Sequence, residues 1–168
     1  MFSMQLPVMP PVSPMLAKSV PTMPTGALSY EPKWDRFRPI VSREGDEVEL
    51  GSRHERPMTR YFPEIVEAVR ANLPSRCVID GELVVIVGER LEFDVLQQRI
   101  HPAVSRITLL SEQPPASFVA FDLLALDDQD YTERPFEERR AALERALAGA
   151  DAPIHLTPTT RDPAVAQE

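Results

Sequence analysis

The residues from Ser29 to Arg38 read Ser-Tyr-Glu-Pro-Lys-Trp-Asp-Arg-Phe-Arg. Alternation along an extended segment puts Glu31, Lys33 and Asp35 on one face. A lysine held between carboxylates, with Arg38 following, has the parts of a nucleophile aimed at a phosphate. The same run also reads as a solvated strand end, the ordinary fate of charged residues. Three further clusters bear on the choice: Gly51-Ser52-Arg53, Asp80-Gly81-Glu82-Leu83 and Phe121-Asp122-Leu123-Leu124. Ser52-Arg53 also fits a polar strand exit, Asp80-Gly81 a bulge in an edge strand, and Phe121 plain core packing. The acids resist a bland reading more firmly. Asp80, Glu82 and Asp122 interrupt apolar strand-like runs, and burying a carboxylate without a partner is costly. Their alternation fits a shared polar cleft.

The elements that must position these groups follow from periodicity and turn residues. Strands are expected at 29–34 and 37–42, broken at Asp35-Arg36, and at 47–51 after the Glu44-Gly45-Asp46 turn, together an antiparallel meander. Pro63 fits the first turn of a helix with Ile65, Val66, Val69 and Leu73 on one side, stopped by Pro74. Long β-branched runs at 77–87 and 118–126 predict buried strands, and a short helix is expected at 93–100. A second helix begins near Pro135, with Phe136, Leu143 and Leu147 inward and Gly149 as its C-cap. A last short strand is predicted at 154–157. Asp162-Pro163 then reads as an N-cap and first helical residue, followed by too few residues for a stable helix. Residues 1–26 carry many of the 18 prolines and are expected to wrap the domain as an extended lead, with residues 27–168 forming the domain itself.

Composition excludes more than it assigns. A chain of 168 residues suits one domain with a sizeable core. No apolar run approaches the ~20 residues of a membrane span, and the proline-rich start lacks the pattern of a secretion signal. The single cysteine, Cys77, allows no internal disulfide, which fits a cytoplasmic home. A net charge of −8 argues against simple nucleic-acid binding, so any such role must rest on motifs.

In their order, the four clusters resemble the motifs of covalent nucleotidyltransferases: ATP-dependent DNA ligases, RNA ligases and mRNA capping enzymes. Those enzymes carry K-x-D-G-x-R, then an S-R element, a D-G-E strand and an F-D strand. The surrounding wording is similar to bacterial ATP-dependent DNA ligases of the ligase C and end-joining types. It includes P-x-x-P-M-L-A-K around Met15, E-P-K-W-D, L-G-S-R, R-Y-F-P-E, V-I-D-G-E-L, A-F-D-L-L-x-L and R-P-x-x-E-R-R. The implied fold is α+β, the first part of an ATP-grasp-like adenylation domain with antiparallel sheets flanked by helices. Lys33 is implied as the nucleophile that attacks the α-phosphate of ATP to give lysyl-AMP. A lysine with its ordinary pKa of ~10.4 is protonated at neutral pH, so the site must lower that value. Glu31 matches the acid that accepts from the adenine amino group, and Phe121 the aromatic that stacks on the purine. Arg38, Arg53 and Glu82 match groups that hold ribose and phosphate, with Glu82 also beside magnesium. The implied partners are nicked or broken double-stranded DNA and end-joining repair proteins, for a monomer acting at the nucleoid.

Two departures qualify the resemblance. Arg36 stands where the family has glycine beside the nucleotide, at a turn whose backbone suits glycine. The family's E-G-x-(V/I)-x-K strand, its α-phosphate lysine pair and its OB domain are not found, so the chain is expected to be truncated and impaired. The competing reading is a non-catalytic remnant that at most binds nucleotide. A capping or RNA-ligase relative is a third, which a preference for GTP would favour.

Overall fold

Gly45 turns the chain between β1 (Ile40–Glu44) and β2 (Glu47–Gly51) at φ +60°, the left-handed region where a two-residue hairpin turn needs glycine. The computed structural model describes residues 4–10, 21–24, 26–30, 38–51, 58–87, 90–91, 96, 115–160, 162 and 164. The other edge of β1 pairs antiparallel with β3 (Arg76–Val84), a strand apolar enough to be buried on both faces and to take the centre of the sheet. The predicted three-strand meander is therefore replaced by a hairpin docked on β3. Tyr30 makes an isolated antiparallel bridge with Thr160 instead, and residues 31–37 lie outside the described residues.

The short pair β4 (Ile86–Val87) and β5 (Arg90–Leu91) forms a separate hairpin. β3 pairs along its length with β6 (Ser117–Leu126). The other edge of β6 is shared. β7 (Gln129–Asp130) pairs with Leu126 and Ala125, and β8 (Ile154–Leu156) runs parallel to residues Phe118 to Ala120. The sheet order is β2-β1-β3-β6-β7, with β8 beside β6. The expected α+β fold with antiparallel strands and flanking helices is found, and among the described residues the β6–β8 pair adds a parallel ladder to it. Between β7 and β8 the chain passes through helix α2 (Phe136–Ala146), a crossover that returns the strand in the same direction.

Helix α1 (Pro63–Asn72) begins at Pro63 and ends where Leu73 turns extended before Pro74. Arg43 of β1 donates to the carbonyls of Val69 (3.1 Å) and Leu73 (2.6 Å); Val69 also accepts from the Leu73 amide, so the guanidinium shares that acceptor and satisfies Leu73 at the helix end. Helix α2 turns Arg140, Ala142 and Leu143 inward and stops at Ala146, so Gly149 lies in the turn beyond and is not its C-cap. Phe136 is only half-buried. Of the helix expected at 93–100, Leu96 alone is described; it is helical and fully buried. The N-cap expected near the end is present, with the Ala164 amide donating to Asp162 Oδ1 at 2.9 Å.

The two faces of the sheet hold different cores. Val41, Leu50, Ile79, Leu83, Phe118, Ala120 and Leu123 pack with Ile65, Val69 and Leu143 of the helices. On the opposite face Ile40, Val78 and Ala125 are covered by Met4 and Leu6 of the N-terminal segment. That segment is tied down at both backbone poles of Gln5: its amide donates to Glu44 Oε2, and its carbonyl accepts from Arg76 Nη2. Among the described residues no helix is long and apolar enough to cross a membrane.

Candidate functional site

The polar face of the sheet next to Ile40 is built around Asp80-Gly81-Glu82 in β3. Alternation sends the two acids to one face and Gly81 to the other. A Cβ at Gly81 would lie 2.5 Å from the Val119 carbonyl oxygen and closer still to the Phe118 ring. The glycine is thus required by the close approach of β6, in a central strand and not at an edge. The bulge sits on the partner. Asp80 faces Asp122 and Gly81 faces Ala120, which leaves Phe121 as the extra residue. A second shift between Val78 and Ile79 leaves Leu124 extra in the same way. A bulge lets two consecutive residues share a face, and here Phe121 and Asp122 both join Asp80 on the polar side.

Arg38, two residues before β1, closes this arrangement. Its Nη2 donates to Asp80 Oδ2 at 2.8 Å, and its guanidinium carbon lies 4.9 Å from the centre of the Phe121 ring. The ion pair and the cation–π contact fix the guanidinium in two directions. Burial pushes the Asp80 carboxyl up to about 6, and the charge of Asp122 adds to this, while Arg38 pulls it down. The ion pair is real in geometry, yet the cost of burial exceeds its attraction. At neutral pH Asp80 remains mostly ionised. Asp122 is paired in turn: its Oδ1 accepts from Arg139 Nε at 2.8 Å and from the Leu123 amide at 2.9 Å. Glu82 is fully buried.

Of the predicted site residues, the structure brings Arg38 and Phe121 into contact and places Glu82 two residues beyond Asp80 on β3. Glu31, Lys33 and Arg53 lie outside the described residues, as does Arg36. Asp80 and Asp122 share the polar side as their alternation suggested. Arg139 was not anticipated. Its signal was indirect: a buried Asp122 needs a cation, and the Arg139-Arg140 pair on an otherwise exposed helix offered two. Arg140 is the buried one, its Nη2 donating to the Thr157 carbonyl at 2.7 Å and its Nε to Glu144 at 2.9 Å. It lines a cavity of about 230 Å³ with Ser29, Glu137 and Thr160, which holds none of the predicted site residues. Burial pushes the Cys77 thiol up to about 12, which leaves it a packing residue.

The chain matches the family model described as "ATP dependent DNA ligase domain" over residues 14–167. DNA ligase C of Mycobacterium tuberculosis is 66% identical over 168 residues, covering 98% of this chain and 47% of the relative. DNA ligase C1 of Mycolicibacterium smegmatis is 50% identical over 171 residues, covering 98% of this chain and 49% of the relative. The ligase domain from M. tuberculosis LigD superposes with a TM-score of 0.56 at 27% identity, over 78% of this chain and 39% of that one. A mycobacterial DNA ligase D complexed with ATP and MES superposes with a TM-score of 0.55 at 27% identity, over 78% of this chain and 40% of that one. The chain spans about half the length of the curated relatives it matches.

Proposed function

The chain belongs to the ATP-dependent DNA ligase family, and from that premise we propose that it is the nucleotide-handling portion of a ligase whose chemistry starts at Lys33. Lys33 Nζ attacks the α-phosphate of ATP, a P–N bond forms as the bond to pyrophosphate breaks, and lysyl-AMP results. AMP then passes to the 5′-phosphate at a nick or break in double-stranded DNA, and the 3′-hydroxyl displaces it to seal the strand. Glu31 accepts from the adenine amino group, Phe121 stacks on the purine, and Arg38 with Arg53 holds ribose and phosphate.

The observation that carries this reading is the guanidinium of Arg38 set against Phe121 and tied to Asp80. A planar donor fork beside an aromatic face suits a nucleotide, whose base and phosphates need both kinds of contact. Magnesium is usual for such chemistry. Among the described residues no group of three potential ligands comes together, and Asp80 and Asp122 are engaged by arginines. The family resemblance assigns Glu82 the place beside that ion, and an ion held chiefly by the nucleotide's own phosphates needs no larger set of protein donors. The bound ion would neutralise phosphate charge. Action at the nucleoid, in the cytoplasm, as a monomer with end-joining partners belongs to the same proposal.

Intact-mass spectrometry after incubation with ATP and magnesium tests the reading. A gain of one AMP, absent in Lys33→Ala, supports it; a folded chain that gains nothing leaves the remnant reading. Arg36 is the specific reason to keep that second reading in view. If the family's turn requires a positive φ at this position, a side chain there costs about 1–2 kcal/mol. Arg36→Gly is accordingly expected to raise the rate of adduct formation roughly tenfold. An unchanged rate would remove Arg36 as the cause of any impairment.

A further inference from the structure

Asp80 and Asp122 stand directly opposite each other across β3 and β6, both buried. Like charges in that position repel across a short distance of low dielectric. Each carboxylate is met by a guanidinium on its far side, so the charges alternate Arg38, Asp80, Asp122, Arg139. Arg139 belongs to α2 and not to the sheet. It reaches Asp122 from α2 at the stretch of the β6 edge left open between its partners, where Ala120 accepts from Thr157 and Leu124 from Tyr131. It is also anchored at its own end. Its Nη1 donates to the Arg134 carbonyl at 2.7 Å, and its guanidinium carbon lies 5.5 Å from the Phe136 ring.

We propose that Arg139 is a positioning residue for Arg38: by neutralising Asp122 it leaves Arg38 committed to Asp80 and stacked over Phe121. Without Arg139, no other guanidinium among the described residues pairs with Asp122, and Arg38 becomes a cation that both carboxylates draw on. The guanidinium then leaves the place where it meets Phe121. The proposal rests on the reading that Arg38 and Phe121 receive the nucleotide, but the electrostatic coupling exists without nucleotide and is testable alone. It also predicts which second change repairs the first. If Asp122 is made neutral, the competing charge is gone and the loss of Arg139 no longer matters to Arg38.

The experiment follows the Nε–Hε signal of Arg38 by NMR in the 168-residue chain, assigned by its disappearance in Arg38→Lys. Arg139→Ala should shift and broaden that signal, Arg139→Lys should leave it close to wild type, and Asp122→Asn with Arg139→Ala should restore it. ATP titrations of the same variants should show affinity weakened roughly five- to twentyfold by Arg139→Ala and recovered in the double variant, within the usual range of coupling between neighbouring groups. A structural role alone would lower the melting temperature without moving the Arg38 signal, and that result overturns the proposal. Arg139→Gln, which keeps most of the stem, serves if the alanine variant unfolds; unfolding of both without rescue by Asp122→Asn also overturns it. Should the Arg38 signal respond as expected while the wild-type chain binds no ATP, the positioning role stands and the nucleotide reading of the site falls.

Discussion

Phe118 and Phe121 lie three residues apart on β6, yet they belong to different parts of the molecule. Phe118 is fully buried in the core under the helices, its ring against Gly81. Phe121 is the extra residue of a bulge and lies on the polar face beneath Arg38. One strand therefore carries two aromatic jobs, packing on one side and presentation of a flat apolar surface on the other. Regular alternation would have put Phe121 and Asp122 on opposite faces. The bulge is the device that lets the ring and the acid serve one site.

Alanine at each position should break the comparison cleanly. Phe118→Ala is expected to cost about 3–5 kcal/mol, since it empties a site among well-packed neighbours. Phe121→Ala should cost less, about 2–3 kcal/mol, because one face of its buried ring meets the Arg38 guanidinium and not apolar core. Nucleotide affinity should follow the reverse order, falling strongly in Phe121→Ala and little in a folded conservative Phe118→Leu. Urea titrations and ATP titrations of the same samples would decide it. Next in size is Gly81→Ala. The added methyl meets a backbone carbonyl that cannot rotate away, so a loss of about 3 kcal/mol is expected in the same urea titrations. A loss under ~1 kcal/mol would mean β3 and β6 can part to admit it.

Most of the sheet was legible in the sequence because its strands are long, apolar and bounded by glycine or proline. The acids of β3 and β6 were legible for a different reason: a carboxylate inside such a run demands an explanation. What escaped was set by pairing over distance. Nothing local says that β3 takes the centre beside β1, so the three-strand meander was the natural but wrong neighbourly choice. The parallel seat of β8 depends on the crossover through α2, and the Arg139–Asp122 pair depends on where that crossover lies. Gly149 looked like a helix stop, yet α2 ends earlier, at Ala146, and Gly149 does not adopt a left-handed φ.

Asp80 gives the polar face a pH signature that the apolar face lacks. Its carboxyl is raised to about 6 by burial, against ~3.9 for an unperturbed aspartate. Between those values the folded chain binds more protons than the unfolded one, so stability falls as pH rises through that window and is level above it. The stabilisation is complete below the unfolded pKa and lost by the folded pKa, with a span on the order of 2–3 kcal/mol. Asp80→Asn should remove this decline from the difference between pH 4 and pH 7 in metal-free chain. A parallel decline in wild type and variant would mean that Arg38 offsets the cost of burying Asp80.

Arg43 supplies the smallest effect and the sharpest contrast with Arg38. Both arginines come from the same stretch of chain, but Arg43 turns to the helical side and spends its donors on the carbonyls of Val69, Leu73 and Gly45. Its partners are neutral backbone acceptors at the end of α1, where a cation is also favoured by the helix dipole. Arg43→Met keeps the aliphatic stem and removes the donors. It should cost about 1–2 kcal/mol, the range for losing charge-assisted bonds to partly solvated acceptors. ATP affinity should not change, because no carboxylate of the polar face loses a partner. A drop in affinity would show that the two faces of the sheet are mechanically coupled through β1, and the separation drawn between Phe118 and Phe121 would then hold for packing only.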